Sequence, residues 1–140
     1  MSSVPDGHPN AQLLHRLFAA FGRRDGAAVA AMFDHEVVWR VGGHNPMTGE
    51  YRGWREVASF LRRTTSETNG TYLSELRWAL ADDERGVAVY RARGQREGRQ
   101  LDIEQVLLCE FRDGRIAHVT AAPVDAVAFD EFWGNGGLEA

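Results

Sequence analysis

After Asn69-Gly70 the hydrophobic pattern of the chain switches from helical to strand-like spacing and stays there, and this switch limits the folds that the chain can adopt. Before it, apolar residues recur mostly at helical spacing. After it, apolar and polar residues alternate as they do in β-strands. The 140 residues suit one domain and leave little room for a second. Helices followed by strands therefore predict a single α+β domain. The clearest helical stripe comprises Leu14, Leu17, Phe18 and Phe21.

Four strand candidates follow the change of period, and short turn sequences separate them. Asp82–Gly86, Glu97-Gly98 and Asp113-Gly114 have the composition of hairpin turns. Successive hairpins place neighbouring strands antiparallel, so this half predicts an antiparallel meander. The four candidates are Tyr72–Ala81, Val87–Arg96, Arg99–Phe111 and Arg115–Val124.

The remainder of the chain predicts helices, one further strand and a loop. The first helix is expected to begin at Asn10 as its N-cap and to end at Gly22. A short helix carrying Val29 follows, then a strand at Glu36–Val41, a loop at Gly42–Gly49, a helix at Gly53–Arg63 and a last helix at Asp125–Trp133. We expect a flexible lead at 1–9, one domain at 10–133 and a flexible tail at 134–140.

Composition excludes several classes of function. All 16 basic residues are Arg, so no mechanism that needs a lysine amine is available. The net charge of −4 argues against nucleic acid as a partner. Cys109 is the single cysteine, which excludes an intrachain disulfide, and no His/acid spacing indicates a metal site. With no signal peptide or membrane span apparent, we expect a cytoplasmic protein without cofactor or metal.

Four segments resemble a known family. They are Arg16–Asp25, Val38–Gly53, Phe111–Ile116 and Asp125–Trp133, and the resemblance spans Asn10 to Trp133. They are similar to the SnoaL-like polyketide cyclases of the nuclear-transport-factor-2-like superfamily, which also contains ketosteroid isomerases. The resemblance implies a cone, in which a curved antiparallel sheet wraps around three N-terminal helices and leaves an apolar pocket. Many members of this superfamily form dimers through the outer face of the sheet.

Side-chain parity in the strand Arg99–Phe111 fits that expectation. Leu101, Ile103, Gln105, Leu107, Cys109 and Phe111 share one face, as a pocket wall with one polar group would. On the other face, Val106 and Leu108 interrupt a series of acidic residues. This second face suits the interface of a homodimer, and it equally suits a half-solvated sheet with two apolar residues.

The resemblance implies chemistry at a carbonyl, but the residues depart from one known pattern. Ketosteroid isomerases use an Asp base and a Tyr–Asp donor pair. Here the base position corresponds to Arg40, and the donor positions to Leu17 and Leu107. Arg40 could stabilise an oxyanion or simply pair with an acid on the surface. His118 could be a general base or a packed strand histidine sharing a face with Ile116.

The expected ligand-binding residues are mostly aromatic. They comprise Trp39, His44, Tyr51, Trp54, Tyr72, Trp78, Tyr90 and the amide Gln105. Gln105 is suited to orienting a carbonyl, whereas the aromatic residues suit either a pocket lining or a packed core. His44 lies in the loop at Gly42–Gly49, near the expected pocket mouth.

Three functions agree with this pattern. The first is a cyclase or isomerase of secondary metabolism that acts on a polyketide-like or steroid-like carbonyl compound. The second is a non-catalytic protein of the same fold that binds a small apolar molecule. The third is an epoxide hydrolase, which uses an Asp–Arg–Asp set around a water. In each case we expect a homodimer with no nucleic-acid or membrane partner.

Overall fold

The structure, a computed structural model, describes residues 7–134. The outer parts of the expected flexible ends, 1–6 and 135–140, lie outside the described residues. The elements are α1 (Pro9–Arg23), α2 (Gly26–Ala31), β1 (Phe33–Val41), β2 (Gly49–Arg52), α3 (Gly53–Ser66), β3 (Leu73–Ala81), β4 (Arg85–Arg96), β5 (Arg99–Arg112), β6 (Arg115–Pro123) and α4 (Ala126–Trp133). Their order confirms the expected α+β organisation. The short strand β2 was missed, because its four residues follow directly from a glycine-rich loop.

The N-cap of helix α1 lies two residues before the expected one. His8 is the N-cap, and its ring nitrogen Nδ1 accepts a hydrogen bond from the backbone N–H of Asn10 at 3.0 Å. Pro9 occupies the first helical position, where its missing N–H costs nothing. Asn10 instead donates its side-chain amide to the carbonyl of Asp82 at 3.1 Å. The expectation for Asn10 was wrong, and its side chain joins α1 to the β3–β4 turn.

The six strands form one curved, unclosed sheet in the order β2-β1-β6-β5-β4-β3. Strands β3 to β6 form the predicted antiparallel meander. Glu97-Gly98 and Asp113-Gly114 have φ between 51° and 79°, which the two-residue hairpin turns require. One pair departs from the expected antiparallel sheet, because β1 runs parallel to β6.

The helices cover the inner face of the sheet. Helix α1 packs against β3, α3 against β1 and α4 against β5. In β5 the predicted alternation is confirmed, with Leu101, Gln105, Leu107 and Cys109 buried. This arrangement leaves the opposite, outer face of the sheet without a helix among the described residues.

Two β-bulges change which side chains reach the inner face. One lies in β3 between Leu76 and Trp78, and the other in β6, where Ile116 pairs with Phe111 but His118 with Glu110. A bulge inserts one residue and inverts the alternation beyond it. Ile116 is therefore buried while His118 lies on the outer face, so the expectation that they share a face was wrong.

Candidate functional site

A cavity of about 730 Å³ lies between the helices and the inner face of the sheet. Such a volume is typical of sites for small organic ligands. Every helix and most strands contribute to its predominantly apolar lining. Its largest apolar members are Phe18, Phe21, Trp39, Trp54, Phe60, Phe129 and Trp133.

One uncharged polar cluster interrupts this apolar wall. Tyr90 and Gln105 are directly opposite each other on β4 and β5, and Tyr72 lies just before β3. The amide nitrogen Nε2 of Gln105 donates to the hydroxyl oxygen of Tyr90 at 2.8 Å and to that of Tyr72 at 3.4 Å. All three residues line the cavity. The arrangement presents two phenols and an amide to whatever occupies it.

Burial keeps both phenols of this cluster protonated. Desolvation raises the pKa of Tyr72 to about 12, against smaller opposing effects of hydrogen bonds with Ser74 and Gln105. Desolvation also raises the pKa of Tyr90 well above its ordinary value, and the neighbouring Tyr72 adds to the effect. The two side chains therefore act as neutral hydrogen-bond donors and cannot serve as bases near neutral pH.

Charged side chains reach the cavity where α1 and α2 meet the end of α3. Arg24, which lines the cavity, donates to the carbonyl of Gly70 at 2.6 Å and so links the end of α1 to the segment after α3. Asp25 is the only carboxylate among the described lining residues. Its side chain accepts from the backbone N–H of Ala28 at 3.0 Å as the N-cap of α2. Asp25 therefore has a structural partner already.

The structure places Arg40 outside the cavity. Its side chain is exposed on the outer face of β1 and donates to Glu50, which also pairs with Arg52 at 2.7 Å. The hydrogen bond from Arg40 lowers the pKa of Glu50, with desolvation opposing it. Because Trp39 and Val41 point inward, alternation directs Arg40 outward. Of the two alternatives for Arg40, the structure agrees with the surface pair with an acid and not with a position in the pocket.

His118 also lies outside the cavity. It is adjacent to Val38 and Glu110 in the sheet and lines a shallow outer groove together with Arg40 and Thr120. The structure thus brings the two expected catalytic residues to one groove, but on the opposite side of the sheet from the cavity. Neither can contact a molecule bound among the helices.

Five of the eight expected ligand-binding residues line the cavity, and three do not. Trp78 is 46% exposed on the outer face, because the bulge in β3 turns it away from the helices. His44 is exposed, and its backbone N–H donates to Asp130 at 2.8 Å. Tyr51 packs on Phe60 and donates its hydroxyl to a backbone carbonyl, as a core residue does. The five that line it are Trp39, Trp54, Tyr72, Tyr90 and Gln105.

Sequence reasoning missed the contribution of α4 and of the loop before β2. Phe129 and Trp133 of α4 and Met47 of the loop all line the cavity. The spacing of Phe129, Phe132 and Trp133 was available as a signal for an inward helix face. Asn45, also missed, donates to Asp130 at 2.7 Å and holds the loop against α4.

Across residues 7–134, no three His, Cys, Asp or Glu side chains converge as metal ligands would. In the same residues, no helix has both the length and the apolar character needed to cross a membrane.

Comparison with known proteins gives related sequences and folds. An uncharacterized protein of Mycobacterium tuberculosis is 34% identical over 122 residues, which cover 86% of this chain and 93% of the relative. Bal32a, from a soil-derived mobile gene cassette, has a TM-score of 0.86 at 30% identity, with 89% and 96% of the two chains covered. A Xanthomonas campestris protein proposed to be a polyketide cyclase has a TM-score of 0.64 at 25% identity, with 81% and 88% covered.

Other solved structures with this fold are described as nuclear-transport-factor-2-like. The fold is therefore of the small-molecule cyclase and isomerase type. The family model described as "SnoaL-like domain" matches residues 14–119, which is most of the chain. The chain belongs to the SnoaL-like domain family.

Proposed function

We propose that the chain binds one medium-sized apolar molecule in its cavity, with the polar end of that molecule at Tyr72, Tyr90 and Gln105. The observation that carries this proposal is the combination of a large apolar cavity with one uncharged polar cluster in its wall. Apolar surface supplies the binding free energy, and a few convergent polar groups fix the orientation. Both elements are present here.

Turnover as a cyclase or isomerase is the second candidate, and the two phenols favour it. Removing a proton next to a carbonyl creates an enolate oxygen, which neutral O–H donors can stabilise. The reaction also needs a base, and the described lining offers only Asp25, which caps α2. An epoxide hydrolase needs two carboxylates and is therefore not proposed. Binding is the function that the geometry supports best.

A pair of adjacent substitutions on α3 tests the binding proposal. Ala58 lines the cavity, whereas the neighbouring Ser59 is exposed and does not. Ala58→Phe should fill part of the cavity and weaken binding of the tricyclic probe 9-fluorenol at least about tenfold, while Ser59→Phe should leave it unchanged. Isothermal titration calorimetry gives both values. Failure of the unaltered protein to bind apolar ring compounds would overturn the proposal.

Deuterium exchange separates an enzyme from a binding protein. A ketone probe such as 2-tetralone exchanges the hydrogens next to its carbonyl when a base and an oxyanion donor act together. Faster exchange with the protein than with buffer, lost in Tyr90→Phe, would establish catalysis. Exchange at the buffer rate would leave binding as the function.

We also propose that two copies associate through the outer face of the sheet. Two apolar rows cross four strands there, and Trp78, Leu80 and Leu108 are 46%, 48% and 51% exposed. Ion pairs flank the rows, so a second copy could place opposite charges against each other at the rim. The rows are Trp78, Val89, Val106, Ala122 and Leu80, Val87, Leu108, Thr120.

A further inference from the structure

In the polar cluster of the cavity, the carbonyl oxygen of Gln105 and the hydroxyl hydrogen of Tyr90 are unused. Gln105 is 4% exposed, and in residues 7–134 no donor reaches its carbonyl oxygen Oε1. Tyr90 accepts a hydrogen bond from Gln105, and no described acceptor takes the hydrogen of its own hydroxyl. Buried polar groups are costly when they lack partners. These two atoms therefore indicate what the bound molecule must offer.

A single hydroxyl group of a ligand can satisfy both atoms. Nε2 of Gln105 lies 2.8 Å from the Tyr90 oxygen. The covalent bonds of the amide hold Oε1 within about 2.6 Å of Nε2, which keeps Oε1 within about 5.4 Å of the Tyr90 oxygen. An oxygen atom placed between Oε1 and the Tyr90 oxygen can form one O–H···O hydrogen bond to each of them, because two such bonds of about 2.7 to 2.8 Å together span this distance. A ligand hydroxyl between them would accept from Tyr90 and donate to Gln105.

Other oxygen groups fit this position less well. The oxygen of a ketone or an ether can accept a hydrogen bond from Tyr90, but it has no hydrogen to donate to Oε1 of Gln105. Its lone pairs would then face those of Oε1, which is unfavourable. A carboxylate or phenolate would place a negative charge among apolar side chains. The cations in the described lining are Arg24, which follows α1, and Arg62 of α3, and both are exposed residues rather than neighbours of Gln105 on β5.

We propose that the ligand is an apolar ring compound that carries a neutral hydroxyl group, and that this hydroxyl forms hydrogen bonds with both Tyr90 and Gln105. This inference rests on the proposed binding function and names its ligand class. Tyr72 supports the site by accepting the second hydrogen bond from Nε2, so both phenols contact the amide nitrogen rather than Oε1. Gln105 is thus a specificity-determining residue that selects a hydrogen-bond donor.

Four matched tricyclic probes test this ligand class with the unaltered protein. They are 9-fluorenol, 9-fluorenone, 9-methoxyfluorene and fluorene, which share one ring system and differ at a single carbon atom. The alcohol should bind at least about tenfold more tightly than the ketone, the ether or the hydrocarbon, because it alone fills both hydrogen-bonding roles. Equal affinity for ketone and alcohol, or for ether and alcohol, would overturn the inference.

Two conservative variants connect the preference to the named residues. Gln105→Leu should reduce the alcohol-to-ether affinity ratio to near unity, because both probes can then only accept from Tyr90. Tyr90→Phe should reduce the alcohol-to-fluorene affinity ratio, because the alcohol loses one of its two hydrogen bonds. Binding of fluorene should persist in both variants. Circular dichroism melting checks that each variant is folded. The comparison of the four probes uses the unaltered protein, so it does not depend on the folding of either variant. Unchanged ratios in both folded variants would contradict the assignment. If none of the probes binds the unaltered protein, the proposed function itself fails, which is a different outcome from equal binding of all four.

Discussion

The buried side chain of Asn45 donates a hydrogen bond to Oδ1 of Asp130 at 2.7 Å, which joins the loop before β2 to helix α4. The same oxygen accepts the backbone N–H of His44 at 2.8 Å. Gly43 allows this approach, because its φ is +98° and a Cβ there would lie 2.6 Å from Oδ1. The contact fixes α4, which supplies Phe129 and Trp133 to the cavity.

Asn45→Ala should destabilise the protein by about 2 kcal/mol, because a hydrogen bond to a charged group is lost and Asp130 keeps fewer partners. It should also weaken binding of 9-fluorenol, since α4 holds part of the cavity wall. Thermal unfolding and calorimetry measure the two effects. Glu131→Gln, at an exposed position on the same helix, is the control and should change stability by less than about 0.5 kcal/mol. An unchanged melting temperature in Asn45→Ala would contradict this account.

Arg40→Ala should leave binding of 9-fluorenol within about twofold of the original value, because the side chain lies on the opposite side of the sheet from the cavity. The loss of its solvent-screened pair with Glu50 should leave the melting temperature nearly unchanged. Calorimetry and thermal unfolding provide both values, and His118→Ala should behave similarly. A tenfold or greater loss of affinity for 9-fluorenol in a folded Arg40→Ala protein would show that Arg40 takes part in binding and would contradict this prediction.

Leu108→Glu should convert the proposed dimer into monomers. The side chain is 51% exposed in the single chain and lies within an apolar row, so a two-fold interface would bury two new carboxylates. We expect dimerisation to weaken at least about a hundredfold, which corresponds to about 3 kcal/mol. Sedimentation velocity over a range of concentrations measures the change. Glu104→Gln is the control at the rim, and a monomeric unaltered protein would refute the interface.

Alkaline pH should unfold the protein as its tyrosines ionise. All three tyrosines, Tyr51, Tyr72 and Tyr90, have pKa values raised above 10.0 by desolvation. A raised pKa in the folded state means that stability is complete below about pH 10 and falls as the pH rises toward about 12. Tyrosinate absorbance and circular dichroism should therefore change together. Ionisation of all three tyrosines near pH 10 in a folded protein would contradict the buried cluster.

The sequence was sufficient to predict the order of most elements and the inner face of β5. Regular alternation correctly predicted that Gln105 and Leu107 lie on the inner face of the sheet, because no bulge interrupts β5 between Leu101 and Cys109. The same reasoning failed for Trp78 and Ile116. A bulge adds one residue to a strand without a distinctive composition, so the inversion at Arg77 or Ala117 appears only in the paired sheet.

The composition of the site was only partly predictable for a related reason. Tyr72, Tyr90 and Gln105 are separated along the chain, and their hydrogen bonds depend on the β4–β5 register and on the path into β3. The correspondence with a family position suggested an oxyanion role for Arg40, but the structure shows the alternative surface pair, with Trp39 and Val41 buried on either side of Arg40 in β1. Local alternation was the better guide there.

The parallel pairing of β1 with β6 joins Trp39 to Val119, about 80 residues later in the chain. During synthesis, β1 has only the four residues of β2 as a sheet partner until β6 has been made. Contacts of such long range slow folding, because much chain entropy is lost before they form. Ala121 of β6 is also part of the cavity wall. A nascent chain therefore acquires its binding cavity only when nearly all of it has left the ribosome.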